Sequence, residues 1–150
     1  MLSNLFKNIS LGAIALQLGA GAALANAPII PNMVGTWKGQ SHSISVDASQ
    51  VNPTSSWDKP GLTERSITVE VTQQKGRRFW GTVYANGERQ GPFIGVLGVD
   101  GKTAALVGPN ATAMGTLQSA NEIEYCYTDA STSTGNSLYT ASCSELFKTK

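Results

Sequence analysis

From Trp37 to Lys148 the chain reads as one short strand segment after another, and no stretch carries the spacing of an amphipathic helix. This constrains the fold most, because strands without helices must bury their apolar faces against each other, in a sandwich or a barrel. Residues 67–72, Ile-Thr-Val-Glu-Val-Thr, alternate most cleanly. Further strand signals cover 37–46, 78–84, 92–97, 103–107, 112–117, 122–129 and 137–148. The connections after the second, fourth and sixth segments are tight. Those after the first, third, fifth and seventh are read as longer, at 48–64, 86–91, 108–111 and 129–136. In an up-and-down meander alternate loops share an end, so one end is closed by tight turns and the other is open. The expected fold is all-β, an eight-stranded antiparallel up-and-down barrel, because an even strand count lets the first and last strands pair and removes both edges. A β-sandwich is the alternative.

The N-terminus has the order of a secretory signal. Lys7 supplies a positive charge, residues 9–24 are mostly apolar or small, and Ala23-Leu24-Ala25-Asn26-Ala27 offers the small-residue cleavage pattern. Cleavage after Ala25 is preferred, because the other register would leave Pro28 directly after the cut. The apolar run is shorter than the roughly 20 residues a membrane span needs. The expected organisation is a signal peptide at 1–25, a flexible lead at 26–32 and one β domain at 33–150, in a periplasmic or secreted location. Without Lys7 the 11 basic residues become 10, equal to the 10 acidic ones. A neutral domain has no broad electrostatic footprint for nucleic acid or for an anionic membrane, and no membrane insertion is expected after the signal is removed.

Cys126 and Cys143 are the only cysteines. In an oxidising compartment an even pair is most simply a disulfide. If the hairpin between segments seven and eight is centred between Thr134 and Gly135, the two cysteines face each other across the ladder, close enough to be joined. A redox pair would need a C-x-x-C spacing or a neighbouring cation, and neither is present.

No catalytic constellation, metal set or cofactor motif emerges. His42 is the only histidine, and a lone histidine does not make a zinc site. Glu122 and Glu124 share a strand face with Cys126, which reads as an outward, solvated face and leaves Ile123, Tyr125 and Tyr127 inward. Lys75-Gly-Arg77-Arg78 reads as a solvated turn. Asn110-Ala-Thr112 matches a glycosylation sequon, relevant only in a eukaryote. Trp57 lies in the long first loop and is expected over the open end, as a lid or as an anchor for the loop. Tyr84 and Tyr127, near strand ends, are expected at the same rim, where an apolar ring with a polar tip suits a small-ligand pocket.

Gly35-Thr36-Trp37 opens the first strand and Phe147-Lys148-Thr149-Lys150 closes the chain. Together these ends resemble the calycin barrels, the lipocalins and the avidin family. The resemblance implies that Trp37 plugs the closed end and that Lys148 or Lys150 packs over its ring as a cation–π contact. It also implies a ligand-facing role for Ser43, matching a serine six positions after the avidin tryptophan. Gly39 stands where avidins have an asparagine, and Glu145 where they have an aspartate, so biotin is not implied. The function expected is an exported, non-enzymatic module that binds a small, mostly apolar ligand at the open end, with Trp57, Tyr84, Tyr127 and Ser43 as its candidates. The alternatives are a protein-binding module such as a protease inhibitor, and an enzyme on a small barrel.

Overall fold

The computed structural model describes residues 29–48, 54–109, 111–133 and 136–149. The proposed signal peptide, its cut after Ala25 and Asn110 lie outside the described residues. Among the described residues eight strands follow one another: β1 (Gly35–Asp47), β2 (Gly61–Lys75), β3 (Arg78–Ala85), β4 (Glu88–Leu97), β5 (Thr103–Val107), β6 (Thr112–Ser119), β7 (Glu122–Ser133) and β8 (Asn136–Thr149). Each pairs antiparallel with the next, and β8 returns to β1, so the sheet is a closed barrel. The closing ladder runs from Thr36↔Thr149 to Asp47↔Leu138. No helix among the described residues is long and apolar enough to cross a membrane.

Alternation along the strands sorts side chains into an inner and an outer set. The inner set holds Trp37, Ile67, Val69, Val71, Phe79, Phe93, Leu97, Ala104, Leu117, Ile123 and Leu146, all buried in one core. Two glycines make this packing possible. A Cβ on Gly81 would lie 1.8 Å from the Glu70 carbonyl oxygen, beside the irregularity between Val71 and Gln73 where β2 bends. A Cβ on Gly95 would lie 2.5 Å from the Phe79 ring, which occupies that space and meets Phe93 edge-on at 6.1 Å.

One end is sealed. Residues 29–34 cross it and Met33 is buried under the barrel. Gln74 ties this segment down: its Oε1 accepts from Met33 N at 2.7 Å, and its Nε2 donates to the Pro31 carbonyl at 2.9 Å. Trp37 Nε1 donates to the Met33 carbonyl at 2.9 Å. Lys148 Nζ donates to the Asn32 carbonyl at 2.8 Å and stands 5.4 Å from the centre of the Trp37 ring.

The other end departs from the loop pattern expected. The β3–β4 connection is a tight hairpin at Asn86-Gly87, both with positive φ (51° and 83°), the arrangement that matches strand twist. Residues 61–64 belong to β2, and the strands β7 and β8 run on to Ser133 and Asn136. Alternation in Gly61-Leu-Thr-Glu-Arg-Ser66 is polar, so it carries no apolar signal to mark it as a strand. The open end is therefore shaped less by long loops than by uneven strands. β1, β2, β7 and β8 have 12 to 15 residues, whereas β5 has five. Four adjoining strands form a tall wall, and the mouth is lower on the β5 side.

The expected disulfide is present. Cys126 and Cys143 are cross-strand partners with Cα atoms 4.0 Å apart, on the outer face. The bond joins positions 17 residues apart, and closing a loop of that size stabilises the folded state by about 3 kcal/mol. Reduction, or the double change Cys126→Ser and Cys143→Ser, is expected to lower unfolding free energy by about that amount in urea titrations monitored by Trp fluorescence. An unchanged midpoint would mean the bond adds nothing to the ladder.

Candidate functional site

The barrel encloses a cavity of about 390 Å³ that opens between the strand ends away from Trp37. Its floor is apolar, formed by Met33, Trp37, Val69, Val71, Phe79, Ile123 and Leu146. Above the floor the lining divides into two unlike walls.

The tall wall becomes polar two residues above Gly39. Strand register sets the rows. Arg65 on β2 pairs with Ser41 on β1, which pairs with Ser144 on β8, which pairs with Tyr125 on β7. The next row toward the mouth is Thr63, Ser43, Ser142 and Tyr127, and the next is Gly61, Ser45, Thr140 and Asp129. The hydroxyls bond to each other. Ser41 Oγ and Ser142 Oγ are 2.5 Å apart, Ser43 Oγ donates to Ser142 Oγ at 2.8 Å, and Ser142 Oγ donates to the His42 carbonyl at 3.2 Å. Among the described residues the buried Ser144 Oγ has no partner of hydrogen-bonding geometry. The opposite wall is mostly apolar: Val83, Ala85, Pro92, Phe93, Leu106 and Ala113, with Pro109 and Ala111 at the rim and Gln90 and Thr112 as its polar members.

The residues singled out in the sequence divide accordingly. Ser43 and Tyr127 line the cavity. Tyr84 does not: it lies on the outer parity of β3 and its hydroxyl donates to Glu70 Oε2 at 3.3 Å. Trp57 does not line it either. It is 73% exposed and packs at 5.7 Å, tilted by 39°, against Tyr139. Tyr139 shares the outward parity of Cys143, so Trp57 rests against the outside of the tall wall. Val46, the cross-strand partner of Tyr139, is buried despite its outward parity.

His42 is outside as well, 3.3 Å from its cross-strand neighbour Glu64. Glu122, Glu124 and Glu145 sit together on the outer surface with Gln118. No group of three or more metal-ligating side chains occurs among the described residues. The serine ladder was visible in the sequence as Ser41-x-Ser43-x-Ser45 and Ser142-x-Ser144, a polar period of two. Arg65 was not, because it falls in a polar stretch that offers no sign of which face is inner.

Burial pushes the Tyr125 phenol above the ordinary 10.0; the Ser144 hydroxyl pulls the other way and the Tyr127 phenol adds to the rise. The folded state therefore favours the protonated phenol more than the unfolded chain does. That contribution is complete below pH 10.0 and is lost as pH climbs from there through the higher folded value. Wild-type stability is expected to fall more steeply above pH 10.0 than that of Tyr125→Phe, measured by urea unfolding at neutral and alkaline pH. Parallel profiles would show that the phenol is not desolvated.

No family model matches the sequence, and no curated protein matches it. Solved structures that resemble the barrel include two of low identity. One is a protein of unknown function from the DUF3598 family of Nostoc punctiforme, 13% identical, TM-score 0.47, covering 83% of this chain and 53% of its own. This chain thus spans about half the length of that protein. The other is an S-type phycobiliprotein lyase, CPES, from Guillardia theta, 14% identical, TM-score 0.40, covering 79% of this chain and 89% of its own. The second corrects one expectation. That neighbour is described as a lyase, and because function resides in a site and not in a barrel as such, the reading of this chain as a non-enzyme is withdrawn.

Proposed function

We propose that this is an exported barrel of calycin type that takes a small, mostly apolar ligand into its interior through the open end. The observation that carries the reading is the cavity. Its volume of about 390 Å³ falls within the range of small-molecule sites, and an apolar floor with a few convergent polar groups is their usual composition. The sealed end supports it too, since Trp37, Met33 and the segment held by Gln74 leave one route in. Export is supported by the N-terminal sequence pattern and by the disulfide, which persists in oxidising compartments, periplasmic or extracellular.

The neutral dye Nile red tests the cavity. It is expected to bind with a stoichiometry of one and a blue-shifted emission. Ala113→Trp, which would place an indole in the cavity, should abolish that binding while leaving the far-UV spectrum unchanged. Equal binding to both proteins would put the dye on the surface and remove the reading. Export has its own test: mass spectrometry of the protein from its native compartment should find Asn26 as the first residue. A chain that still begins at Met1 would refute the cleavage.

A second reading, a protein-binding module, is favoured by one observation. Trp80, Ile94 and Val107 form a cross-strand row on the outer face, with Val96, Ala105 and Met114 beside it. Ile94 is 65% and Met114 63% exposed. Contiguous apolar surface of this kind often marks an interaction face.

A further inference from the structure

We propose that the ligand of this cavity is an amphipathic carboxylic acid, with its carboxylate held at Arg65 and its apolar body directed toward the floor. The inference rests on the cavity being a ligand site. It adds the ligand's charge, its chemical class and its orientation.

Arg65 has the inner parity of β2, in step with Ile67, Val69 and Val71, and it lines the cavity. Its chain neighbour Glu64 has the opposite parity and lies outside against His42. Among the described residues Arg65 takes part in no ion pair. The β2–β3 ladder begins at Ile67↔Ala85, and Asn86 of the turn beyond it bonds to the backbone of Ser66, whose parity is outward. A guanidinium carries five donors in a planar fork that matches a carboxylate. Two residues along β2, Thr63 also lines the cavity, and its hydroxyl can donate to an acid oxygen.

Among the described residues, the one other charged side chain that lines the cavity is Asp129. It lies on β7, across β1 and β8 from Arg65 and two rows nearer the mouth, and it already has an interaction of its own. A cationic ligand would have to compete for that carboxylate, whereas an anionic ligand finds a cation without an ion-pair partner. The orientation follows from the walls. Below the Arg65 row the lining is apolar on every side, so the hydrocarbon part goes down and the acid stays at the level where hydroxyls begin. A charged head buried below that row would lose hydration without a partner.

The test compares cis-parinaric acid with its methyl ester, which keeps the polyene and removes the charge. Both are titrated by fluorescence into the wild type, Arg65→Gln and Arg65→Lys. The wild type is expected to bind the acid about tenfold or more tightly than the ester, the range of a charge-assisted hydrogen bond. Arg65→Gln should erase that preference and leave ester affinity unchanged, which also shows that the variant is folded. Arg65→Lys should retain part of it. Equal binding of acid and ester by the wild type, or equal loss of both in Arg65→Gln, overturns the proposal and leaves the cavity reading standing. Binding of neither molecule overturns the cavity reading itself, and this inference with it.

Discussion

The β1–β8 ladder is the contact on which the rest depends. It joins residues about a hundred positions apart, from Thr36↔Thr149 to Asp47↔Leu138, and converts a curled sheet into a tube. Ordering so long a loop is costly in chain entropy, and the return comes from removing both sheet edges and enclosing one core. Every feature of the interior uses this seam. Trp37 and Lys148 are partners across it, and so are Ser43 and Ser142. The Cys126–Cys143 bond lies one strand away and ties β8 to β7, so the closing strand is held covalently on its other side.

The seam also explains why the cavity has two faces. Around it β1, β8, β7 and the start of β2 turn hydroxyls and Arg65 inward, while the far side offers Val83, Phe93, Leu106 and Ala113. Serine hydroxyls are tolerated there because they satisfy one another, through Ser41, Ser43 and Ser142, at a spacing that paired strands provide without further adjustment. The lower barrel is different: Gly39, Gly81 and Gly95 let backbone and ring approach closely, and large side chains fill the space. A filled base beneath a partly empty upper half follows from that distribution of glycines and hydroxyls.

Much of this was legible residue by residue. The inward set Ile123, Tyr125 and Tyr127 follows from alternation alone, as does the facing of Cys126 and Cys143 across a hairpin of neighbouring strands. Tyr84 shows the limit. Nearness to a strand end suggested the rim, but parity decides the face, and Phe79 and Val83 put the odd positions of β3 inside. Trp57 shows another. A long loop at the open end reads as a lid, yet its indole found an apolar partner in Tyr139 on the outside of a wall that extends further than the alternation implied.

By itself the sequence determined the strands, the tight turns after β2, β4 and β6, the disulfide register and the inward set of β7, because these depend on neighbours within a few residues or across one hairpin. Only the tertiary structure decided which parities share an interior, that Ser41 and Ser43 meet Ser142, and that Arg65 faces a cavity while Glu64 does not. Those relations are set by closure between distant strands and by bulges that shift register. A period of two carries no record of either.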